Sequence, residues 1–188
     1  RGFGNDKHNL IAPSLQWYGD KASFNISYED YQYDIPYDRG TAFINGSPID
    51  IGYKTRLDDY SNHAWGRNQT FSSHWDYQFN DIWSTRVTVG LNQRKYNSNT
   101  MTATAVNTTT GVVTRRPDAF RGFNHKTKYV SWDAIGTPEI LGMTHNMVFG
   151  TDYEMNQTYR AHAYNGTKNK DFTLSHPVYG LETITDSS

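Results

Sequence analysis

The sequence predicts an all-β chain whose antiparallel strands cross a membrane, and three observations lead there. The first is alternation. From residue 22, Phe24, Ile26 and Tyr28 alternate with Ser23, Asn25, Ser27 and Glu29, the two-residue period of a strand with one apolar and one polar face. Two more runs repeat the pattern. Phe71, Ser73, Trp75, Tyr77 and Phe79 oppose Thr70, Ser72, His74, Asp76 and Gln78, and Trp83, Thr85, Val87, Val89 and Leu91 oppose Ser84, Arg86, Thr88, Gly90 and Asn92. Charge stays on the polar side of these runs, except for Asp30 and Lys95 near their far ends.

The second observation is composition. Only 36% of the 188 residues are hydrophobic and the mean hydropathy is −0.80, below what a soluble domain of this size uses for its core. The chain nevertheless holds 14 Tyr, 9 Phe and 5 Trp. A transmembrane β-barrel reconciles the two, because only the lipid-facing half of each strand must be apolar. The third observation is that short and long connections alternate, which is the outer-membrane pattern. Long structureless connections repeated in this way are uncommon in compact soluble folds.

Taken in order, the first strand is expected at 9–18 and is the weakest of the early set, because Pro13 has no amide hydrogen for a ladder. Gly19-Asp20-Lys21 is a short turn, and the second strand covers 22–33. It breaks at Asp34-Ile35-Pro36-Tyr37-Asp38-Arg39-Gly40, where a long connection begins. Strands at 68–79 and 83–96 flank the short turn Asn80-Asp81-Ile82. A second long connection follows, with turn residues at 106–111 that mark a loop tip or loop hairpin. The fifth strand, 126–135, directs Val130, Trp132 and Ala134 outward and Ser131 and Asp133 inward. The sixth, 145–155, directs Met147, Phe149 and Tyr153 outward and Asp152 and Glu154 inward. A one-residue slip would invert either assignment. These lengths suit tilted membrane strands of about 9–11 residues. The expectation is about six strands in three hairpins, all within a single barrel domain over 1–188, with long extracellular loops near 34–67, 97–125 and 157–188.

Several function classes recede. A net charge of −1 with scattered basic residues gives no nucleic-acid patch. With no Cys there is no disulfide framework, thiolate metal site or cysteine catalysis. No stretch approaches the roughly 20 apolar residues of a membrane helix. The opening Arg1-Gly2-Phe3-Gly4-Asn5 is neither a signal peptide nor an initiator methionine, so the chain reads as an excerpt. No catalytic motif is present, and adjacent strand carboxylates such as Glu29-Asp30 point to opposite faces; the protein is not expected to be an enzyme. His8, His63, His74, His125, His145, His162 and His176 show no ligand rhythm, and no protein-bound metal is expected.

Six elements in order carry a likeness: Leu15-Gln16-Trp17 before a short turn, Tyr28-Glu29-Asp30 after it, the break at 34–40, Arg56-Leu57-Asp58, Trp65-Gly66-Arg67-Asn68-Gln69-Thr70, and Gly150-Thr151-Asp152-Tyr153-Glu154. On these the chain resembles the barrel of TonB-dependent outer-membrane siderophore receptors, over nearly its whole length. The resemblance implies a 22-stranded barrel in a Gram-negative outer membrane, surrounded by outer-membrane lipid. It implies binding and import of a ferric siderophore, with TonB engaged through an N-terminal region. Iron would arrive already chelated, so no cofactor is implied. A plug domain, a TonB box and an aromatic-ended terminal strand are absent from these 188 residues, so the likeness is to an internal part of the barrel. Two other readings stay open: a transporter of the same architecture for cobalamin or a glycan, and a soluble β-barrel that binds a small ligand.

The ligand candidates follow from parity. Tyr31 and Tyr33 share the inward side of Ser23, Asn25 and Ser27 near the outer mouth, with Tyr129 a third inward tyrosine. They serve either a bulky chelate or the filling of the barrel. Arg39 and Arg67, like Arg56, lie in or beside the first long loop and serve either an anionic ferric complex or nearby Asp residues such as Asp38 and Asp58. Trp17, Trp75 and Trp83 sit near short turns, where an interfacial aromatic girdle belongs.

Overall fold

A computed structural model describes residues 6–38, 40–44, 46–52, 55–160, 162–165 and 171–180. Among them are β1 (Lys7–Ile11), β2 (Ser14–Tyr18), β3 (Ala22–Pro36), β4 (Phe43–Ile44), β5 (Ser47–Pro48), β6 (His63–Gln78), β7 (Trp83–Val106), β8 (Val112–Gly136), β9 (Glu139–Ile140), β10 (Met143–Thr144), β11 (Met147–Tyr159), β12 (His162–Asn165) and β13 (Phe172–Thr173). The described residues contain no helix.

One antiparallel sheet dominates, in the order β1-β3-β6-β7-β8-β11, with β2 joining β3 and with β12 and β13 joining β8. Strands adjacent in this path are also successive along the chain, as in a meander. Pro13 splits the first expected strand into β1 and β2, yet Ile11↔Asp30 and Ser14↔Ser27 keep one register across the break. The Pro13 carbonyl still accepts from the Tyr28 amide at 3.0 Å, because proline removes a donor and leaves its acceptor.

The span 97–125 forms a paired ribbon, with β7 and β8 continuing past the sheet. Register shifts at Tyr96/Ser98 and Ala103/Ala105 bend it. At its tip the Asn107 side chain accepts from the Thr109 and Thr110 amides, both at 3.0 Å, and Gly111 adopts φ 71°. Asn then Gly is the chemistry such a reversal demands.

Pairing fixes two faces. One row runs Trp17, Phe24, Trp75, Val87, Trp132, Thr151; the next runs Leu15, Ile26, Ser73, Val89, Val130, Tyr153. Trp17 stacks on Phe24 at 5.5 Å, and Phe24 meets Trp75 at 5.9 Å. These large side chains stay exposed: Trp75 at 57%, Phe149 at 57% and Tyr153 at 59%. The opposite face reads Tyr18, Ser23, Asp76, Arg86, Asp133, Gly150, tied by the Arg86–Asp76 ion pair at 2.7 Å.

The buried core lies at the loop end, where the β7–β8 ribbon, β13 and the connections meet. Leu57, Val113 and Phe172 form it, with Ala42, Ile51, Ala103, Val106 and Leu174 against them. Beside it an ion cluster joins three segments. Arg56 holds Asp58 through Nε and Nη2 at 2.6 and 2.7 Å. Arg115, with its side chain 0% exposed, faces the equally buried Asp59 at 3.6 Å and donates to the Asp58 and Val178 carbonyls. Asp59 also accepts from the Ser61 and Gly180 amides, and Asn62 bridges Asp58 to the Met101 backbone. Burial opposes the Arg56 cation, but the hydrogen bond and charge of Asp58 outweigh it and raise its pKa. At Arg115 burial prevails over Asp59 and lowers the pKa. Both remain guanidinium cations near neutral pH.

Candidate functional site

The polar face carries an aromatic pocket where β3, β6 and β7 leave the apolar rows behind. Alternation places Tyr31, Tyr33 and Ile35 on one side of β3, and the register sets Tyr31 beside Asn68 and Arg94, and Tyr33 beside Gly66 and Tyr96. A cavity of about 420 Å³ opens among Tyr31, Tyr33, Ile35, Tyr37, Ala64, Asn68, Arg94 and Tyr96. That volume lies within the range of small-molecule sites.

Glycine makes the pocket possible. A Cβ at Gly66 would strike the Lys95 carbonyl oxygen and come within 2.6 Å of the Tyr33 hydroxyl. With hydrogen there, the Tyr33 ring lies flat over β6. Tyr31 and Tyr33 stack at 5.7 Å, while the Tyr31 hydroxyl meets His8 Nδ1 at 2.7 Å across the edge of the sheet. The Tyr37 carbonyl accepts from Arg56 Nη2 at 3.0 Å, which couples the pocket rim to the ion cluster.

Arg94 is the charge in this pocket. It lines the cavity beside Tyr33 and Tyr96, and among the described residues no carboxylate lies within ion-pair distance of it. Arg67 and Arg86, the other arginines of β6 and β7, are paired with Asp30 and Asp76 at 2.7 Å. An arginine beside four tyrosines and without an acid suits an anionic, ring-bearing or otherwise bulky ligand. The aromatic faces supply contact area, and the hydroxyls supply hydrogen bonds.

The expected residues distribute unevenly. Tyr31 and Tyr33 meet in the pocket. Tyr129 shares their face but pairs with Gly90 and Glu154, two rows away, with its Cβ 3.6 Å from where a Gly90 Cβ would stand. Arg39 lies outside the described residues. Arg67 points from the opposite face, bound to Asp30, and Arg56 is buried in the ion cluster. Of the tryptophans expected to form a girdle, Trp17 and Trp75 share one apolar row, and Trp83 lies over Gly136 at the start of β7 near a short turn. Tyr37, Asn68, Arg94 and Tyr96 were missed. Continuing the alternation of Asn92 by two and four residues would have found Arg94 and Tyr96.

No protein-family model and no curated protein matches the chain. Among solved structures, the crystal structure of BauA, the ferric preacinetobactin receptor from Acinetobacter baumannii, is similar, with a TM-score of 0.76 and 14% identity over 96% of this chain. The chain spans 28% of the length of that receptor. At this identity the likeness is one of fold.

Proposed function

We propose that this chain is part of an outer-membrane receptor that binds a ferric siderophore and passes it inward without bond chemistry. The observation that carries the reading is the pairing of opposites on one sheet: an apolar face whose tryptophans and other large side chains are exposed, and behind it a polar face bearing a tyrosine pocket with an acid-free arginine. An exposed apolar surface of this extent calls for lipid or a partner, and the long alternating strands suit a barrel wall. The fold likeness to a ferric siderophore receptor supports the same reading. On it, the six-strand path is one portion of a 22-stranded barrel in a Gram-negative outer membrane. The connections near 34–67, 97–125 and 157–188 face outward, and TonB would act through a region N-terminal to this one.

In this role Tyr31, Tyr33, Tyr37 and Tyr96 contact the chelate, and Arg94 offsets its negative charge. The iron is cargo, already coordinated by the chelator, so the pocket needs no metal ligands of its own. The test is equilibrium binding of ferric catecholate and ferric hydroxamate chelates to the full-length native protein in neutral detergent. Saturable binding that weakens in Arg94→Ala is expected. Absence of binding to every ferric chelate, with cobalamin or an oligosaccharide bound instead, would move the reading to another nutrient.

A further inference from the structure

We infer that the apolar face carries, at its edge nearest the long connections, a binding site for the phosphate-bearing headgroup of a membrane lipid. The inference rests on the membrane reading and is independent of the iron reading.

The register supplies the geometry. The last row of the apolar band runs Tyr28, Phe71, Leu91, Lys128, Met155; the next runs Asp30, Gln69, Gln93, Lys126, Gln157; and the one beyond runs Gln32, Arg67, Lys95, Asn124, Tyr159. Three successive rows on one face of two neighbouring strands therefore each add a lysine. The nearest acid on that face, Asp30, is occupied by Arg67, and Asp34 stands opposite Lys7. Among the described residues Lys95, Lys126 and Lys128 make no ion pair, and Lys126 Nζ lies 6.0 Å from the centroid of the Tyr159 ring.

A shallow cavity of about 300 Å³ opens at this edge, with Tyr28, Phe71, Leu91 and Lys128 in the last row of the band and Gln93 and Lys126 in the row beyond. Its two halves match the two halves of an amphiphile: acyl chains on the rings and leucine, a phosphate on the ammonium groups. A single lysine at a band edge is explained by its stem covering apolar surface while its head reaches water. Three in consecutive rows without an acid repel one another, and an anionic headgroup removes that repulsion. Each lysine near an anionic surface contributes about 1 kcal/mol, so loss of all three weakens binding about 100-fold.

The full-length native protein in neutral detergent is incubated with equal amounts of phosphatidylcholine and phosphatidic acid and repurified, and the retained lipid is quantified by mass spectrometry. The wild type is expected to retain phosphatidic acid over phosphatidylcholine, and the K95Q/K126Q/K128Q variant to lose about 10- to 100-fold of that preference. The K21Q variant, altered in the short turn at the other edge, is expected to keep it. Unchanged preference in the triple variant overturns the site. Complete displacement of phosphatidic acid by inorganic phosphate also overturns it, because a free anion would then suffice. Co-flotation with phosphatidylcholine vesicles separates the two readings. If wild type and triple variant both float and their preferences agree, the lipid site alone falls; if the wild type does not float, the membrane reading falls with it.

Discussion

Arg94 and Gly66 are the residues on which the pocket depends. Arg94→Ala removes the pocket's cation, and a charge-assisted hydrogen bond contributes about 1.5–3 kcal/mol, so ferric-chelate affinity should fall roughly 10- to 100-fold. Arg67→Ala, on the opposite face and paired with Asp30, should leave that affinity within about twofold, since this solvent-exposed ion pair lies on the other side of the sheet from the pocket. Isothermal titration of the two variants with one ferric chelate separates them, and equal losses would refute the assignment of faces. Gly66→Ala sets a methyl group against a backbone carbonyl and the Tyr33 hydroxyl. It should therefore weaken binding at least as much as Tyr33→Ala, as measured in the same titration. Legibility at this scale followed alternation. Tyr31 and Tyr33 could be assigned from their parity with Ser23 and Asn25, and Arg67, which shares the parity of Gln69 and Phe71, takes the second of its two expected roles by pairing with an Asp on the other face.

Among the elements, the connections hold more structure than their composition suggested. Residues 97–125 are rich in Asn, Thr and Gly-bounded turns, which reads as loop, yet β7 and β8 continue through them as a ribbon. The sequence shows no apolar alternation there because the ribbon buries only scattered positions, Met101, Val113 and Ala119 among them. Its partner is the ion cluster, which single-sequence patterns cannot reveal: Arg115 meets Asp58 and Asp59, next to Arg56, from a distant segment of the chain. Removing one member of a buried pair leaves a charge unmatched, at a cost of about 3–5 kcal/mol. Asp59→Ala should accordingly raise hydrogen exchange at 56–62, 112–116 and 178–180 while leaving β3 and β6 protected through 22–30 and 68–78, because those pairings do not involve the cluster. Uniform deprotection would show that the cluster supports the whole sheet and does more than order the connections above it. Because Arg56 also holds the Tyr37 carbonyl, this variant should loosen the pocket rim and raise the dissociation rate of a ferric chelate.

For the chain as a whole, the decisive property is that its large apolar side chains gather on one uncovered face of the sheet. A soluble barrel of these strands would bury the row from Trp17 to Trp132; here Trp17, Trp75 and Trp132 are exposed, while the buried core is a small cluster at the loop end. That division was legible from low hydropathy together with many aromatics, because alternating strands concentrate their apolar side chains on one face and leave the other polar. In vesicles containing brominated phosphatidylcholine, tryptophan emission should be quenched, and replacing Trp75 and Trp132 with Phe should remove a large part of that quenching. Quenching unchanged by this double substitution would place the apolar face away from lipid.

The most direct test of the receptor reading is uptake of radioactive iron by cells expressing or lacking the full-length native protein, presented with ferric catecholate and ferric hydroxamate chelates in turn. Saturable uptake of at least one chelate, lost with the protein and reduced by Arg94→Ala, is expected. Equal uptake of every chelate with and without the protein would refute the receptor role.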